Sequence, residues 1–259
     1  MDLGIAGRKA IVCASSRGLG KACAWALAEA GVEVVINGRD AKTVEATAAE
    51  IAKATGTKTI AVVADVATSE GQKALLAACP SPDILVNNNG GPPPRDFREL
   101  TREMIIDGVI ANMVIAIELT QKVIDPMAAR GFGRIVNITS SSVKAPLAGL
   151  DLSSGARAGL TAFFAGVART VADKNVTINS ILPGAFDTDR LRGILNNAAK
   201  KSGKTADEAA AARKNTIPAK RFGTPEEFGA ACAFLCSAHA GYITGQNLLI
   251  DGGTNPSAF

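Results

Sequence analysis

From residue 11 to residue 21 the chain reads Ile-Val-Cys-Ala-Ser-Ser-Arg-Gly-Leu-Gly-Lys, and this stretch restricts the fold more than any other. Residues 9–13, Lys-Ala-Ile-Val-Cys, form a short apolar run suited to a buried strand, and Leu19, Cys23, Ala26, Leu27 and Ala30 follow at helical spacing. A tight turn must join the two. Gly18 and Gly20 permit backbone angles and close approaches that a side chain blocks. The helix after them points its unpaired N–H groups and positive dipole end back at the turn, which makes it a place to hold a phosphate. Taken alone, the turn is equally an ordinary strand-to-helix connection.

The rest of the chain repeats the alternation. Residues 33–36 are a second β-branched run closed by Asn37-Gly38-Arg39-Asp40, and Val44, Thr47, Ala48 and Ile51 mark the inner face of the next helix. Thr59–Val63 predicts a third strand ending at Asp65, and residues 83–86 a fourth, leading into Asn87-Asn88-Asn89-Gly90-Gly91. Pro92-Pro93-Pro94 makes a stiff loop. Beyond it the pattern predicts a helical region at about 101–129, a strand at 134–138, a helix at about 154–172, a strand at 176–182, a helix after Pro225 and a strand at Asn247–Ile250. Such alternation implies right-handed crossovers and a parallel sheet. The expected fold is therefore α/β, a single Rossmann-type doubly wound domain over 1–259, with about seven strands and helices on both faces. Ligands of such sheets bind at the carboxyl ends of the strands near the switch point, where the glycine turn and the Asn88–Gly90 loop both belong.

Composition closes off several classes. No linker, charge block or repeat divides the 259 residues, and the net charge of +4 is spread without a basic groove, which argues against a nucleic-acid partner or a membrane patch. No apolar run reaches the roughly 18–20 residues that a membrane span needs, so a cytoplasmic protein is expected. The five cysteines lie in apolar contexts as small hydrophobes. Cys232 and Cys236 share a helix face, yet His239 is the chain's one histidine, and no metal is expected.

Taken in order, these motifs resemble the short-chain dehydrogenase/reductase family, in layout its 3-oxoacyl-carrier-protein reductases. Residues 13–20, Cys-Ala-Ser-Ser-Arg-Gly-Leu-Gly, are similar to the family's TGxxxGxG loop, with Ala14 where the first glycine is usual. Asp65-Val66 matches the pair beside the adenine, residues 87–90 match NNAG, Asn112 the helix asparagine and Ser140 the catalytic serine. Pro183-Gly184 with Thr188 matches the segment over the nicotinamide, and Gly245-Gln246 with Asp251-Gly252-Gly253 the closing strand. The resemblance implies cofactor contacts from Ala14, Ser16, Arg17, Gly18, Leu19, Gly20, Asp65, Val66, Asn88, Gly90, Pro183, Gly184 and Thr188. A carboxylate at the end of the second strand would bind the adenosine ribose and repel a 2′-phosphate. Asn37 is read at that place, with Arg39 two residues on and Arg17 in the turn, and guanidinium forks suit a phosphate dianion. NADP(H) is expected over NAD(H), and even if Arg39 is only a solvated turn residue the missing acid argues against a strict NAD preference.

The catalytic segment departs from the family. The usual tyrosine lies thirteen residues after the serine and the usual lysine four beyond; counting from Ser140 gives Ser153 and Arg157. The single tyrosine, Tyr242, is too far along to substitute. Reduction of a carbonyl leaves an alkoxide that needs a proton from a positioned acid, and an aliphatic hydroxyl is a far weaker acid than a phenol. By the resemblance Arg157 would bond the nicotinamide ribose and place a fixed positive charge beside the reacting centre. Ser140 would donate to the substrate oxygen, and Asn112 would hold a water that relays protons. Asp151 and Lys144 are alternative acids, against a helix-end carboxylate and a solvated lysine.

Residues 188–222 are expected to form a lid. Lys200, Lys201, Lys204, Arg213 and Lys214 on it suit either a phosphate-bearing carrier or plain solvent exposure. Two readings of function stand: an NADP(H)-dependent reductase of a small or acyl-carrier-linked carbonyl, such as a 3-oxoacyl thioester or related ketone, and a cofactor-binding sensor or assembly partner that has lost turnover. The family implies a homotetramer, with a dimer second.

Overall fold

The computed structural model describes residues 2–91 and 93–257, so Pro92 of the triple proline lies outside the described residues. Seven strands pair in parallel: β1 (Lys9–Val12), β2 (Glu33–Gly38), β3 (Thr59–Val63), β4 (Ile84–Asn87), β5 (Gly133–Ile138), β6 (Val176–Pro183) and β7 (Asn247–Ile250). Their order in the sheet is β3-β2-β1-β4-β5-β6-β7, and the seven parallel strands are those that the alternation predicts. The helices are α1 (Gly18–Glu29), α2 (Ala41–Thr55), α3 (Ser69–Ala78), α4 (Arg102–Val109), α5 (Ile115–Ala129), α6 (Asp151–Val171), α7 (Asp189–Ser202), α8 (Ala206–Asn215) and α9 (Pro225–Cys236).

The two-residue period of the strands divides the interior into two cores. Ala10, Val12, Val34, Ile36, Ile84 and Val86 face α1 and α9, packing with Leu27, Phe228 and Cys232. Ile11, Val35, Leu85 and Ile135 face the other way, onto Leu119, Val123, Leu160 and Phe164 of α5 and α6. Each such aliphatic side chain contributes about 1.5–3 kcal/mol when fully buried, so both faces of the sheet hold the fold together. The five cysteines are free and buried, in keeping with small hydrophobes. No helix among the described residues is long and apolar enough to cross a membrane.

Two helix boundaries differ from the expectations. The helical region before β5 is broken: between α4 and α5 the residues Ile110–Val114 form one π-helical turn. There the Asn112 side chain donates from Nδ2 to Gly108 O at 2.9 Å, filling a carbonyl that the widened turn frees. The second difference is that α6 begins at Asp151, three residues before the expected start. Leu150 precedes it without a side-chain cap, so Asp151 meets the helix dipole and Ser153 sits inside the first turn.

Candidate active site

The direction of the crossovers reverses between β1 and β4, and the loops after these two strands lie side by side. Ala14, at φ 45°, makes the turn out of β1 in the left-handed region, and Gly18, at φ 60°, opens α1. Asn88 donates from Nδ2 to Ala14 O at 3.2 Å, tying the β4 loop to the glycine turn. A Cβ on Gly20 would strike Ala14 O and lie 2.8 Å from Asn88 Nδ2. The closeness of turn and loop therefore depends on that missing atom. A Cβ on Gly38 would fall 2.6 Å from Ser16 Oγ, so the bare backbone at the end of β2 leaves the room that the Ser16 side chain takes up beside the hollow over the turn. This hollow, with the N-terminus of α1 behind it and Leu19 half-buried, suits a dinucleotide phosphate.

Asn37 requires a correction. It is buried rather than facing a ribose: Ala14 N donates to its Oδ1 at 3.0 Å, and its Nδ2 donates to Val62 O and Ala64 O at 3.2 and 3.0 Å. The strand runs one residue further, so Gly38 ends it and Asn37 points into the protein, where it braces the glycine turn. The absence of a carboxylate at the strand end still holds. Arg17 and Arg39 are both exposed on either side of this end; Arg17 Nη2 lies 3.5 Å from Thr43 Oγ1, and Arg39 Nη1 lies 3.8 Å from Asp65. Val66 is buried beside Asp65. Gly90 donates its N–H to Asn89 Oδ1 at 2.8 Å, and Asn89 in turn donates to Ala111 O near the π turn.

Across the switch point stand the residues expected to do chemistry. Ser140 leaves β5 and caps a short turn; its Oγ accepts from Ser142 N at 3.1 Å and Ser142 Oγ at 2.9 Å. The Ser140 proton itself is left free to donate. Arg157, on α6, is 8% exposed and folds under the end of β5. Its Nη1 donates to Ile138 O at 2.7 Å and Thr139 O at 3.1 Å, and its Nε donates to Ser153 Oγ at 3.2 Å. Burial, and after it the charge of Arg190, push the guanidinium pKa down to about 10. It is still a cation at neutral pH. Ser153 is buried beneath it as a hydrogen-bond acceptor. A cavity of about 20 Å³, roughly the space of one water, is lined by Asn87, Asn112 and Arg157 among others. The Oδ1 atoms of Asn87 and Asn112 are buried without a protein partner.

The remaining expected residues take simpler places. Pro183 ends β6; Gly184 donates to Ile250 O at 2.8 Å; Thr188 caps α7, accepting from Leu191 N at 3.4 Å. Asp151 and Lys144 are exposed, and neither lines the cavity of about 320 Å³ that Gly91, Asp107, Leu152 and Ser153 border. A larger cavity, about 1070 Å³, runs along α1 and α9 and meets the site only at Gly18 and Thr188.

Sequence reasoning missed Asp107 and Arg190. A Cβ on Gly91 would lie 3.2 Å from Arg190 Nη2 and 3.6 Å from Ser153 Oγ, so α7 brings a second guanidinium to the Gly91 backbone on the side where Ser153 lies. The only signal was the position of Arg190, two residues past Thr188.

A family model described as enoyl-(acyl carrier protein) reductase matches residues 13–255. The chain is 31% identical to the NADPH-dependent reductase BacG of Bacillus subtilis, over 96% of this chain and 98% of that one. It is 32% identical to the 3-oxoacyl-[acyl-carrier-protein] reductase FabG of Aquifex aeolicus, over 98% and 99%. It superposes on the L-sorbose reductase of Gluconobacter frateurii, solved with NADPH and L-sorbose, with a TM-score of 0.94 at 29% identity, covering 99% of this chain and all of that one. A seven-stranded sheet of this order, its glycine turn at the switch point and likeness along nearly the whole chain carry one conclusion: the chain belongs to the short-chain dehydrogenase/reductase family of oxidoreductases.

Proposed function

We propose that this protein reduces a carbonyl to an alcohol with NADP(H), by acid–base residues other than the family's tyrosine and lysine. The observation that carries the cofactor choice is the end of β2, where Gly38 offers no carboxylate and Arg17 and Arg39 flank the hollow. Two exposed guanidiniums there suit a 2′-phosphate, and NAD(H) gains nothing from them. The relatives' names agree: BacG is an NADPH-dependent reductase and the sorbose reductase was solved with NADPH.

NADP(H), when bound, supplies the hydride. The chain's residues then manage the charge left on the substrate oxygen. Ser140 donates its free proton as a hydrogen bond to that oxygen, and Arg157 stabilises it through a fixed charge in a low-dielectric site. Ser153 is too short and too committed to Arg157 to serve as the acid. The proton comes instead from water, relayed along the small cavity between Asn112, Asn87 and Arg157. Loss of a positioned acid typically costs about 10²–10⁴ in rate, which positioning of the hydride donor outweighs.

The reading extends to a 3-oxoacyl thioester or related ketone as substrate, to residues 188–222, with α7 and α8, as a lid, to the cytoplasm as its place and to a homotetramer. Its test is single-turnover oxidation of bound NADPH by 3-oxoacyl thioesters and simple ketones. The native chain should turn over and Ser140→Ala should lose about 10²-fold or more. Turnover by Ser153→Tyr/Arg157→Lys alone would instead identify an NADP(H)-binding sensor or assembly partner.

A further inference from the structure

Arg157 of α6 bonds Ser153 and Arg190 of α7 approaches the same place across Gly91, and among the described residues neither has an acidic partner. Arg157 is the more telling. The other buried arginine, Arg134, uses Nε, Nη1 and Nη2 on the backbone of Ser237 and Gly133 and on the backbone and side chain of Asn175. Arg157 uses only Nε and Nη1, all on neutral oxygens, and its Nη2 is without a bond yet not sealed off. Arg190 comes from α7 to the same place, its guanidinium and Ser153 Oγ both within 4 Å of one point on Gly91. The acids beside it in the chain are taken, since Asp187 and Asp189 both pair with Arg192. Arg157 is a buried cation without an acid and the exposed Arg190 is brought toward it, so an anion between them would relieve the repulsion and supply the missing charge. Gly91 and Ser153, the two residues that these guanidiniums flank, border the cavity of about 320 Å³.

The geometry points to a carboxylate on the substrate, held between Arg157 Nη2 and Arg190 beside Ser153. The substrate is then a ketone that bears a free carboxylate, in place of a 3-oxoacyl thioester, and the inference rests on the reductase reading. A carrier-linked acyl chain would bring its phosphate to the far end of the pantetheine arm, out of reach of Ser153. The other anion in range is the cofactor's own pyrophosphate, and the experiment separates the two.

The test compares acetoacetate with its neutral isostere methyl acetoacetate, and measures NADPH affinity by fluorescence titration. The native protein should prefer the acid by about 30-fold in kcat/KM, as expected for charge-assisted bonds. Arg190→Gln should reduce that preference to about 3-fold through KM, with the Kd for NADPH unchanged, and Arg190→Lys should restore part of it. Equal use of acid and ester, or a weakened NADPH complex with the preference intact, overturns the site. If no ketone is reduced, the reductase reading fails by itself. Binding of butanoate against butanamide to the NADPH complex then decides the carboxylate site: saturable, Arg190-dependent butanoate binding supports it, and equal or absent binding overturns it.

Discussion

Ala14 occupies a backbone conformation that costs an L-residue about 1–2 kcal/mol, and its Cβ gains no compensating polar contact. Ala14→Gly removes that cost but loosens the unfolded chain, so a net gain of about 0.5–1 kcal/mol is expected, read as a higher urea midpoint. Gly20→Ala should act in reverse and weaken NADPH binding, because its Cβ would push Ala14 and Asn88 apart. Asn37 allows a sharper experiment. An aspartate there would set a carboxylate against Val62 O and Ala64 O in place of an amide, so Asn37→Asp should cost about 2–4 kcal/mol in denaturant without converting the enzyme to NAD. The sequence shows that a strand ends near residue 37, but glycine has no side chain to mark a boundary. One residue of strand length turns Asn37 from ligand-facing to core-facing.

At the scale of elements, α6 carries Ser153 and Arg157, and its first turn is seated by α4. Gly108 lies so close to Leu152 that a Cβ there would fall on the leucine side chain, 2.6 Å from its Cγ. Gly108→Ala should therefore displace the start of α6, costing about 1–3 kcal/mol and lowering kcat more than a uniform loss of binding would. Leu152→Ala in the same chain should recover part of the stability, and a double-mutant cycle measures the coupling. The charge of Arg157 also sets a pH dependence. The proposed mechanism uses the cation, the cation is lost as pH rises through about 10, and so kcat/KM should stay level from neutrality and fall near that pH. Arg190→Gln removes the lesser cause of the depression, and the fall should move to higher pH. The helices around β5 were legible from apolar spacing and α3 was not foreseen, nor was the early start of α6, because no capping side chain announces it. Arg190 was illegible for another reason: its meeting with Gly91 joins residues ninety-nine positions apart, and no local pattern records such a contact.

For the whole molecule, the sheet was readable because each buried strand had to be apolar on both faces and each crossover had to contain a helix. What covers the outer helices was not. Ile105, Ile106 and Ile110 near the π turn and Phe163 of α6 are exposed, more apolar area than isolated surface positions explain. If this face joins copies in the proposed tetramer, Ile106→Glu with Phe163→Asp should shift the sedimenting species to dimer or monomer while each chain still binds NADPH.

The place of β1 in the sheet also bears on how the chain reaches this state. Both of its neighbours, β2 and β4, come from the first third of the chain, with Lys9 beside Glu33 and Ala10 beside Ile84. Ser140, Arg157 and Arg190 all arrive later from the ribosome. The nucleotide cradle is thus complete in outline while the reacting half is still being made, and pulse-labelled amides of β1 and β2 should gain protection before those of β6 and β7. A growing chain of this order presents its β4 edge for β5, which makes the interval between those two strands the period when it is most exposed to pairing with another chain.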